Sequence, residues 1–309
     1  MCTQWRGRAV AVKEVTLPEE SASAANDPAA RQLLEEKLQE VTKDFVTEVA
    51  VACDLVHPNL VQLLGHSTTP TLRLVQEMML GGSLDKALYV DSWRPSPAQV
   101  VQVAVDVAEG MNYLHTAFCK GPSGSHGDGQ DQAVIHRDLK TPNLLLEAPP
   151  PTDGSTDGLR VKITDFGLSR DKNVKADMQT GMMSGCGSVL WMAPEILLGH
   201  QYNEKVDVFS YAMCLVELVD HHLPWHGYSG GAANVPYRVT TGERPDKQLA
   251  NGMDPGMKAL IKQCWRKEPG ARPTFAGILE TLRGMGGGAQ QMTRRTSNGA
   301  RARGIGGAE

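Results

Sequence analysis

Three short polar blocks, in a fixed order, constrain this chain more than any other feature of its sequence. Residues 136–143 read His136-Arg137-Asp138-Leu139-Lys140-Thr141-Pro142-Asn143, and Asp165-Phe166-Gly167 and Ala193-Pro194-Glu195 follow. The first block places a carboxylate, a lysine and an amide on one short loop, and the second block adds another carboxylate. Phosphoryl transfer needs such groups, because a carboxylate aligns the attacking hydroxyl, oxygen atoms hold Mg²⁺ and cations neutralise the phosphates. Chance is a poor explanation for three such blocks in this order.

These blocks resemble those of the eukaryotic protein kinases, and the resemblance extends over roughly residues 5–283. Ala11-Val12-Lys13 closes an alternating apolar stretch that predicts a strand. Glu48 lies in a predicted helix, since apolar residues recur there at three- and four-residue spacing: Leu34, Leu38, Val41, Phe45 and Val49. The resemblance implies that Lys13 contacts the α- and β-phosphates and that Glu48 pairs with it. A buried lysine without a carboxylate tends to lose its charge, so the pair would keep Lys13 cationic.

The resemblance also assigns roles to the residues of the catalytic loop. Asp138 is implied to align the substrate hydroxyl and to accept its proton. Asn143 and Asp165 are implied to hold Mg²⁺, because oxygen ligands suit this hard cation. Lys140 would reach the γ-phosphate, as in the serine/threonine kinases, and Ser188 would help to seat the substrate. The implied catalytic set is Lys13, Glu48, Asp138, Lys140, Asn143 and Asp165.

A nucleotide pocket follows from the same resemblance, with ATP and Mg²⁺ as the expected cofactors. Gln76 occupies the position that gates the back of this pocket, and the backbone of Met78 is expected to hydrogen-bond adenine. The implied ATP contacts are Lys13, Ala11, Glu77, Met78, Leu145 and Asp165. The expected function is transfer of the γ-phosphate to serine or threonine hydroxyls of a protein substrate.

A second group of residues is implied to be structural within the family. Glu195 and Arg272 would form a buried ion pair, and Asp207 would anchor the backbone around His136 and Arg137. The spacing from Cys264-Trp265 to Arg272-Pro273 resembles the tyrosine-kinase-like group of serine/threonine kinases. A tyrosine or dual-specificity kinase stays open as an alternative, because Trp191 and Cys264-Trp265 fit that branch too.

The order of predicted elements indicates an α+β chain with the bilobal architecture of protein kinases. Residues 1–80 are predicted to form a partial small lobe, an antiparallel sheet with one main helix, in which Trp5-Arg6-Gly7-Arg8 completes a hairpin. Residues 81–283 are predicted to form a larger, mostly helical lobe, with helices over 98–115 and 205–220 among others. Residues 284–309, rich in glycine and arginine, are predicted to be a disordered tail. Two segments rich in Gly, Pro, Ser and Asp, 118–132 and 147–159, are predicted to be solvated loops that bury almost nothing.

Composition excludes several other classes of protein. A net charge of −4 argues against a general nucleic-acid binder, although the arginine–glycine tail offers one route to RNA or acidic surfaces. No signal peptide is visible, and the apolar runs are too short to span a bilayer. Six cysteines without a short paired spacing indicate reduced thiols and a cytoplasmic protein. Three histidines near Trp225 are close enough to suggest a metal, but they flank a loop that the family also has: His221, His222 and His226.

One family element is missing from the sequence before Lys13. Twelve residues precede this lysine, and none forms the family's Gly-x-Gly-x-x-Gly loop. Losing two hydrogen bonds to charged phosphates, at about 1.5–3 kcal/mol each, would weaken ATP binding by roughly 10²–10⁴-fold. The chain is therefore either a truncated form of a working kinase or a degenerate kinase-like module used for binding. The intact catalytic set favours the working enzyme.

The sequence also suggests how activity is regulated. Arg137, beside Asp138, is not expected to pair with a local acid, so it is a candidate partner for a phosphate. Thr180 and Ser184 lie between Gly167 and Ala193 and are the candidate acceptors. The hypothesis is that an upstream kinase phosphorylates one of them and orders this segment.

Overall fold

The computed structural model describes residues 2–15, 28–116, 134–165, 187–249 and 253–285. Strands β1 (Cys2–Trp5) and β2 (Arg8–Glu14) form an antiparallel hairpin. Its two turn residues, Arg6 and Gly7, have φ angles of 51° and 77°. Positive φ at both turn positions matches the twist of the flanking strands, and glycine adopts it without a steric cost. The hairpin predicted around these residues is confirmed.

The hairpin belongs to a four-stranded antiparallel sheet backed by one long helix. The helix is α1 (Pro28–Asp54), and strands β3 (Leu63–Ser67) and β4 (Arg73–Glu77) complete the sheet in the order β1-β2-β4-β3. Helix α1 and the sheet pack against each other through a small apolar core: Phe45, Val49, Leu63, Leu72 and Leu74. Since these helical residues belong to the apolar pattern of the sequence, its predicted buried face is confirmed at Phe45 and Val49.

The rest of the described chain is mostly helical. It contains a three-stranded sheet, β5 (Gly82–Ser83), β6 (Leu144–Leu146) and β7 (Val161–Ile163), in the order β5-β6-β7. The helices are α2 (Leu84–Tyr89), α3 (Pro97–Thr116), α4 (Pro194–Leu197), α5 (Lys205–Asp220), α6 (Val235–Thr241), α7 (Pro255–Cys264) and α8 (275–285).

Helix α5 lies at the centre of the helical part, because every residue from Val206 to Leu218 is buried. A helix that is buried on all sides is a core element rather than an amphipathic surface helix. Helix α3 packs closely on β7 at Gly110, where a Cβ atom would lie 2.8 Å from Ile163 Cδ1 and 2.9 Å from Asn59 O. The glycine therefore sets how near α3 comes to the strand that leads into Asp165.

The small antiparallel sheet and the helix-rich part confirm the predicted fold class. The lobe limits at residues 80 and 283 remain predictions. None of the described helices is long and apolar enough to cross a membrane.

The two predicted solvated loops have different outcomes. Residues 118–132 lie outside the described residues, as does most of the predicted tail. The loop 147–159 is largely exposed, as predicted, but Leu159 is buried and Gln99 of α3 hydrogen-bonds two of the loop's carbonyls. The expectation that this loop buries almost nothing is therefore wrong at its anchor points, because a buried side chain on a neighbouring helix supplies donors for its backbone.

Candidate active site

The catalytic-loop residues converge on one lysine. Lys140 Nζ lies 2.8 Å from Asp138 Oδ2 and donates a hydrogen bond of 2.7 Å to Ser188 Oγ. Asp138 and Lys140 come from the loop before the short helical turn Thr141–Asn143, whereas Ser188 comes from the turn Gly187–Trp191. The two groups that the resemblance assigned to the substrate, Asp138 and Ser188, therefore lie on either side of the lysine that it assigned to the γ-phosphate.

Asn143 is held against the same carboxylate. Its Nδ2 donates to the Asp138 carbonyl oxygen at 2.8 Å and to Asp138 Oδ2 at 3.2 Å. With the amide nitrogen committed to Asp138, the amide oxygen is the atom left for a cation. Thr164 N donates to Asn143 O at 3.0 Å, which places Asp165, the next residue, beside the catalytic loop.

Lys13 of β2 reaches across to Asp165. Lys13 Nζ lies 2.7 Å from Asp165 Oδ1, and both side chains are about one-third exposed, at 38% and 31%. Asp165 has a φ of 60°, a conformation that non-glycine residues seldom adopt and that is common at functional sites. Glu48, the predicted partner of Lys13, belongs to α1, but its side chain lies outside the described residues.

The donor set of this site fits a magnesium ion. Mg²⁺ is commonly held by one or two protein carboxylate or carbonyl oxygens, with water and substrate phosphates supplying the remaining ligands. Asp165, which contacts Lys13, and Asn143, whose backbone accepts from Thr164, provide two such oxygen-bearing side chains. Within the described ranges no group of three or more His, Cys, Asp or Glu side chains is arranged to hold a metal ion.

Asp207 anchors the backbone of the catalytic loop, as predicted. Its two carboxylate oxygens accept hydrogen bonds of 2.8 Å from the backbone N–H groups of His136 and Arg137, and His115 Nε2 lies 2.8 Å away. Burial pushes the pKa of Asp207 upward, but the hydrogen bond and charge of His115 outweigh it and hold the pKa below its usual value. The loop therefore rests on a fully buried carboxylate whose ionised form is favoured by its partners.

Arg137 is placed as a receptor for an acidic group. It has a φ of 66°, and its guanidinium lies 5.5 Å from the centre of the Tyr202 ring. Its buried Nε has no hydrogen-bond partner among the described residues. Thr180 and Ser184, the predicted phosphate acceptors, lie outside the described residues.

The predicted buried ion pair is confirmed. Arg272 donates from both terminal nitrogens to Glu195, at 2.6 and 2.9 Å, and both side chains are buried. Arg272 also donates to the Lys205 and Arg266 carbonyl oxygens, and its guanidinium stacks over Phe209. A bidentate pair with further backbone acceptors satisfies the geometry that a buried charge requires.

The predicted nucleotide contacts lie on strands of both sheets. Ala11 pairs with Gln76 in the β2–β4 register, and Leu145 pairs with Ser83 in the β5–β6 register. The Glu77 carboxylate, however, accepts from Lys162 Nζ at 2.8 and 2.9 Å and from the Gln62 N–H at 2.8 Å. Because its side chain is engaged internally, Glu77 can offer ATP only its backbone.

Comparison with known proteins decides the family. A family model described as protein tyrosine and serine/threonine kinase matches residues 6–282. The chain belongs to this kinase family. A probable serine/threonine-protein kinase of Dictyostelium discoideum is 34% identical over 280 residues, which cover 90% of this chain and 25% of that protein.

Two further relatives of the kinase carry the same type of name. Serine/threonine-protein kinase CTR1 of Arabidopsis thaliana is 34% identical over 264 residues, or 84% of this chain and 28% of CTR1. Mitogen-activated protein kinase kinase kinase 7 of Homo sapiens is 33% identical over 260 residues, or 84% of this chain and 38% of that protein. These relatives confirm the predicted resemblance to serine/threonine kinases of the tyrosine-kinase-like group. The kinase spans well under half the length of each of them.

Sequence reasoning missed one buried carboxylate that joins three parts of the kinase. Glu217 of α5 is fully buried and accepts hydrogen bonds from Thr141 Oγ1 and Tyr89 OH, each at 2.6 Å, and from Trp191 Nε1 at 3.1 Å. It thereby links α2, the catalytic loop and the turn that carries Ser188. The signal was present in the sequence, since a single acid interrupts the apolar run 212–219 and a buried charge needs partners.

Glu217 should make the stability of the kinase depend on pH. Burial raises its pKa to about 7 from 4.5, although the hydrogen bonds from Thr141, Tyr89 and Trp191 oppose the rise, and Asp85 adds to it. The folded state therefore keeps a proton that the unfolded state releases above pH 4.5. The stabilisation of the folded state by this proton is fully present below pH 4.5 and is lost as the pH rises through 7. The free energy of unfolding then falls by about 3 kcal/mol.

The test compares wild type with Glu217→Gln in urea unfolding from pH 4.5 to 8. The free energy of unfolding of the variant, minus that of wild type, is expected to increase as the pH rises. Asp106, whose pKa burial raises to about 6, is present in both proteins, so its own pH dependence cancels in the difference. Glu268→Gln, at an exposed position, is the control, and its free energy of unfolding should depend on pH as that of wild type does. A constant difference for Glu217→Gln would contradict the raised pKa.

Proposed function

We propose that this kinase transfers the γ-phosphate of ATP, bound with Mg²⁺, to serine or threonine hydroxyls of protein substrates. The observation that carries the proposal is the contact of Lys140 with both Asp138 and Ser188, next to the Lys13–Asp165 pair. Together with Asn143, these groups include a proton acceptor, two cations and two oxygen-bearing side chains that can hold a metal, which is the set that phosphoryl transfer uses.

Each residue has a defined part in the proposed reaction. The Asp138 carboxylate orients the incoming hydroxyl and accepts its proton as the oxygen–phosphorus bond forms. Lys140, 2.8 Å from Asp138, neutralises charge that develops on the transferred phosphoryl group. Bound Mg²⁺ would supply charge neutralisation at the phosphate oxygens, with Asn143 and Asp165 as its protein ligands. Lys13 would orient the phosphates by direct contact.

The Lys13–Asp165 pair suits a site that awaits an anionic ligand. A half-exposed ion pair contributes little to stability, so separating its partners costs little. When ATP and Mg²⁺ are bound, phosphate oxygens can replace Asp165 as the partner of Lys13, and the metal can replace Lys13 as the partner of Asp165. The pair thus keeps both side chains near the positions that the reaction needs.

Serine/threonine specificity is proposed from the Lys140–Ser188 contact and from the names of the relatives. A cytoplasmic location is proposed from the cysteines, because the described Cys53, Cys214 and Cys264 are all free thiols. Adenine is proposed to meet the backbone of Glu77 and Met78, between Ala11 on one side and Leu145 on the other.

Phosphate transfer from ATP to a generic protein substrate, such as myelin basic protein or casein, tests the proposal. Incorporation should require Mg²⁺ and should appear on serine or threonine in phosphoamino-acid analysis. The measurement is made on this chain and on a version extended upstream through a glycine loop. Activity in the extended version alone would indicate truncation, and inactivity in both would favour the alternative, a kinase-like binding module.

Phosphorylation of the segment between Asp165 and Ala193 is proposed as the activating event. The unpartnered Nε of Arg137 motivates it, since a phosphate opposite an arginine forms charge-assisted hydrogen bonds. Changing both Thr180 and Ser184 to alanine should lower kcat about tenfold or more after treatment with an activating kinase. Exposed Thr68→Ala is the control. Unchanged kcat in the double variant would count against this regulation.

A further inference from the structure

The loop that joins β6 to β7 carries three consecutive prolines, Pro149, Pro150 and Pro151, on the surface of the kinase. Pro149 is exposed, and the next two prolines are partly exposed. None of the proposed catalytic or nucleotide-binding roles uses this loop. The proposed reaction therefore does not account for these prolines.

The loop is fixed on α3 although it has no regular secondary structure in its middle. Gln99 is 1% exposed, and its Nε2 donates to the carbonyl oxygens of Pro151 and Ser155 at 2.9 and 2.7 Å. Ser96 Oγ donates to Gly154 O at 2.8 Å, and Ser96 N donates to Gln99 Oε1 at 2.9 Å. A buried side-chain amide thus holds the C-terminal side of the prolines in place.

The other side of the prolines is also tied to the body of the kinase. Leu80 N donates to Glu147 O at 3.1 Å, and the backbone of Ala148 packs directly on Gly81. Residues 148–151, here called the proline ridge, therefore have fixed ends.

Few backbone conformations are allowed for the ridge between those ends. Each proline fixes its own φ near −65°, and each residue before a proline is restricted to extended backbone. Because Ala148, Pro149 and Pro150 all precede a proline, these restrictions favour a short polyproline II segment. They act within the chain itself and therefore do not depend on a bound partner.

The charges around the ridge are mainly acidic. Glu147 and Asp153 flank it on the exposed surface, and Asp157 lies farther along the loop. Arg160 is the one basic residue that follows in this stretch of the sequence, and its Nε lies 3.7 Å from Glu147 Oε2, with both side chains about half exposed. Residues 147–159 contain no tyrosine and no Pro-x-x-Pro spacing. A binding partner would thus have to recognise a run of prolines with acidic neighbours.

We propose that the proline ridge is a docking site for a partner domain whose groove is lined by aromatic side chains and rimmed by lysine or arginine. Aromatic grooves bind polyproline II segments by stacking on the proline rings, and a basic rim complements Glu147 and Asp153. Because the ridge is ordered before binding, association loses less conformational entropy than it would with a disordered proline peptide. The role of the ridge is recruitment, and it is independent of phosphate transfer.

The test uses the full 309-residue chain and a recombinant EVH1 domain, a groove of the proposed class, followed by calorimetry and by NMR of the labelled domain. Binding should be saturable, with shifts confined to the aromatic groove. The double variant Pro149→Ala, Pro150→Ala should weaken it about tenfold or more. Pro255→Ala, an exposed proline at the start of α7, is the matched control and should bind like wild type. Thermal stability and phosphate transfer should be the same in all three proteins.

Releasing the loop tests the part played by its anchors. Gln99→Ala, and separately Ser96→Ala, keep every proline but should weaken binding several-fold, since the ridge must then be ordered on association. Thermal unfolding shows whether each variant stays folded, and Ser96→Ala serves if Gln99→Ala does not. The proposal is overturned by an absence of EVH1 binding at about 1 mM chain. It is equally overturned if the double proline variant binds like wild type, or if an SH3 or WW domain binds in place of EVH1.

Discussion

Replacing Asp138 by asparagine is expected to lower kcat for phosphate transfer by about 10²–10⁴-fold. The substitution keeps the shape of the side chain but removes its ability to accept the substrate proton. It also leaves Lys140, now 2.8 Å from a neutral amide, without its counter-ion. Asn143 can still donate to the backbone carbonyl of residue 138, so the loop geometry should persist.

Kinetics separate this chemical effect from a loss of nucleotide affinity. The proposed ATP contacts come from other residues, so the KM for ATP is expected to stay within about threefold of wild type while kcat falls. Asp91→Asn provides a matched change, because Asp91 pairs only with exposed Lys86 and should leave kcat unaltered. A variant at Asp138 with near wild-type kcat would remove this residue from the proposed mechanism.

The catalytic loop was predictable because its chemistry is local in sequence. Asp138, Lys140 and Asn143 lie within six residues, so one short loop brings them together whatever the rest of the fold does. Ser188 and Asp207 come from distant segments, and only the resemblance to kinases placed them beside the loop. The structure confirms both placements through hydrogen bonds to Lys140 and to the loop backbone.

Contacts between distant charged residues without a motif could not be predicted. Glu77 and Lys162 are 85 residues apart, and Thr141 and Glu217 are 76 residues apart. In the sequence, each of these four residues is an ordinary polar residue of a strand, turn or helix. Their pairing depends on how the sheet, α5 and the loop pack in three dimensions, and periodicity within one element carries no information about that.

Long helices were predicted well, and very short strands were not. Helix α3 spans Pro97–Thr116 against a predicted 98–115, and α5 spans the predicted 205–220. Strands β5, β6 and β7 have only two or three residues, too few to show an alternating pattern. The loop 147–159 was predicted to be solvated because its composition is typical of a surface loop. The residue that anchors it, Gln99 on α3, lies 48 positions before Glu147, so the anchoring could not be predicted from the loop itself.

Breaking the Glu195–Arg272 pair should have the largest effect on stability. Glu195→Gln removes one charge and leaves a buried guanidinium without its counter-ion, which is expected to lower the free energy of unfolding by about 3–5 kcal/mol. Urea unfolding of wild type and variant measures the change. Lys262→Met, which removes an exposed ion pair with Asp246, is the control and should cost at most about 1 kcal/mol. A similar small loss for Glu195→Gln would mean that the pair is not desolvated in solution.

A double-mutant cycle then separates the pair from the other contacts of Arg272. Arg272→Met should cost at least as much as Glu195→Gln, because it also removes donors to the Lys205 and Arg266 carbonyls and the stacking on Phe209. The double variant should be less destabilised than the sum of the two single variants, since neither charge is then left buried alone. Additive losses would contradict this coupling and would assign the role of Arg272 to its carbonyl contacts. The cycle therefore tests whether the segment after Ser188 is joined to the helical core by charge or by backbone hydrogen bonds.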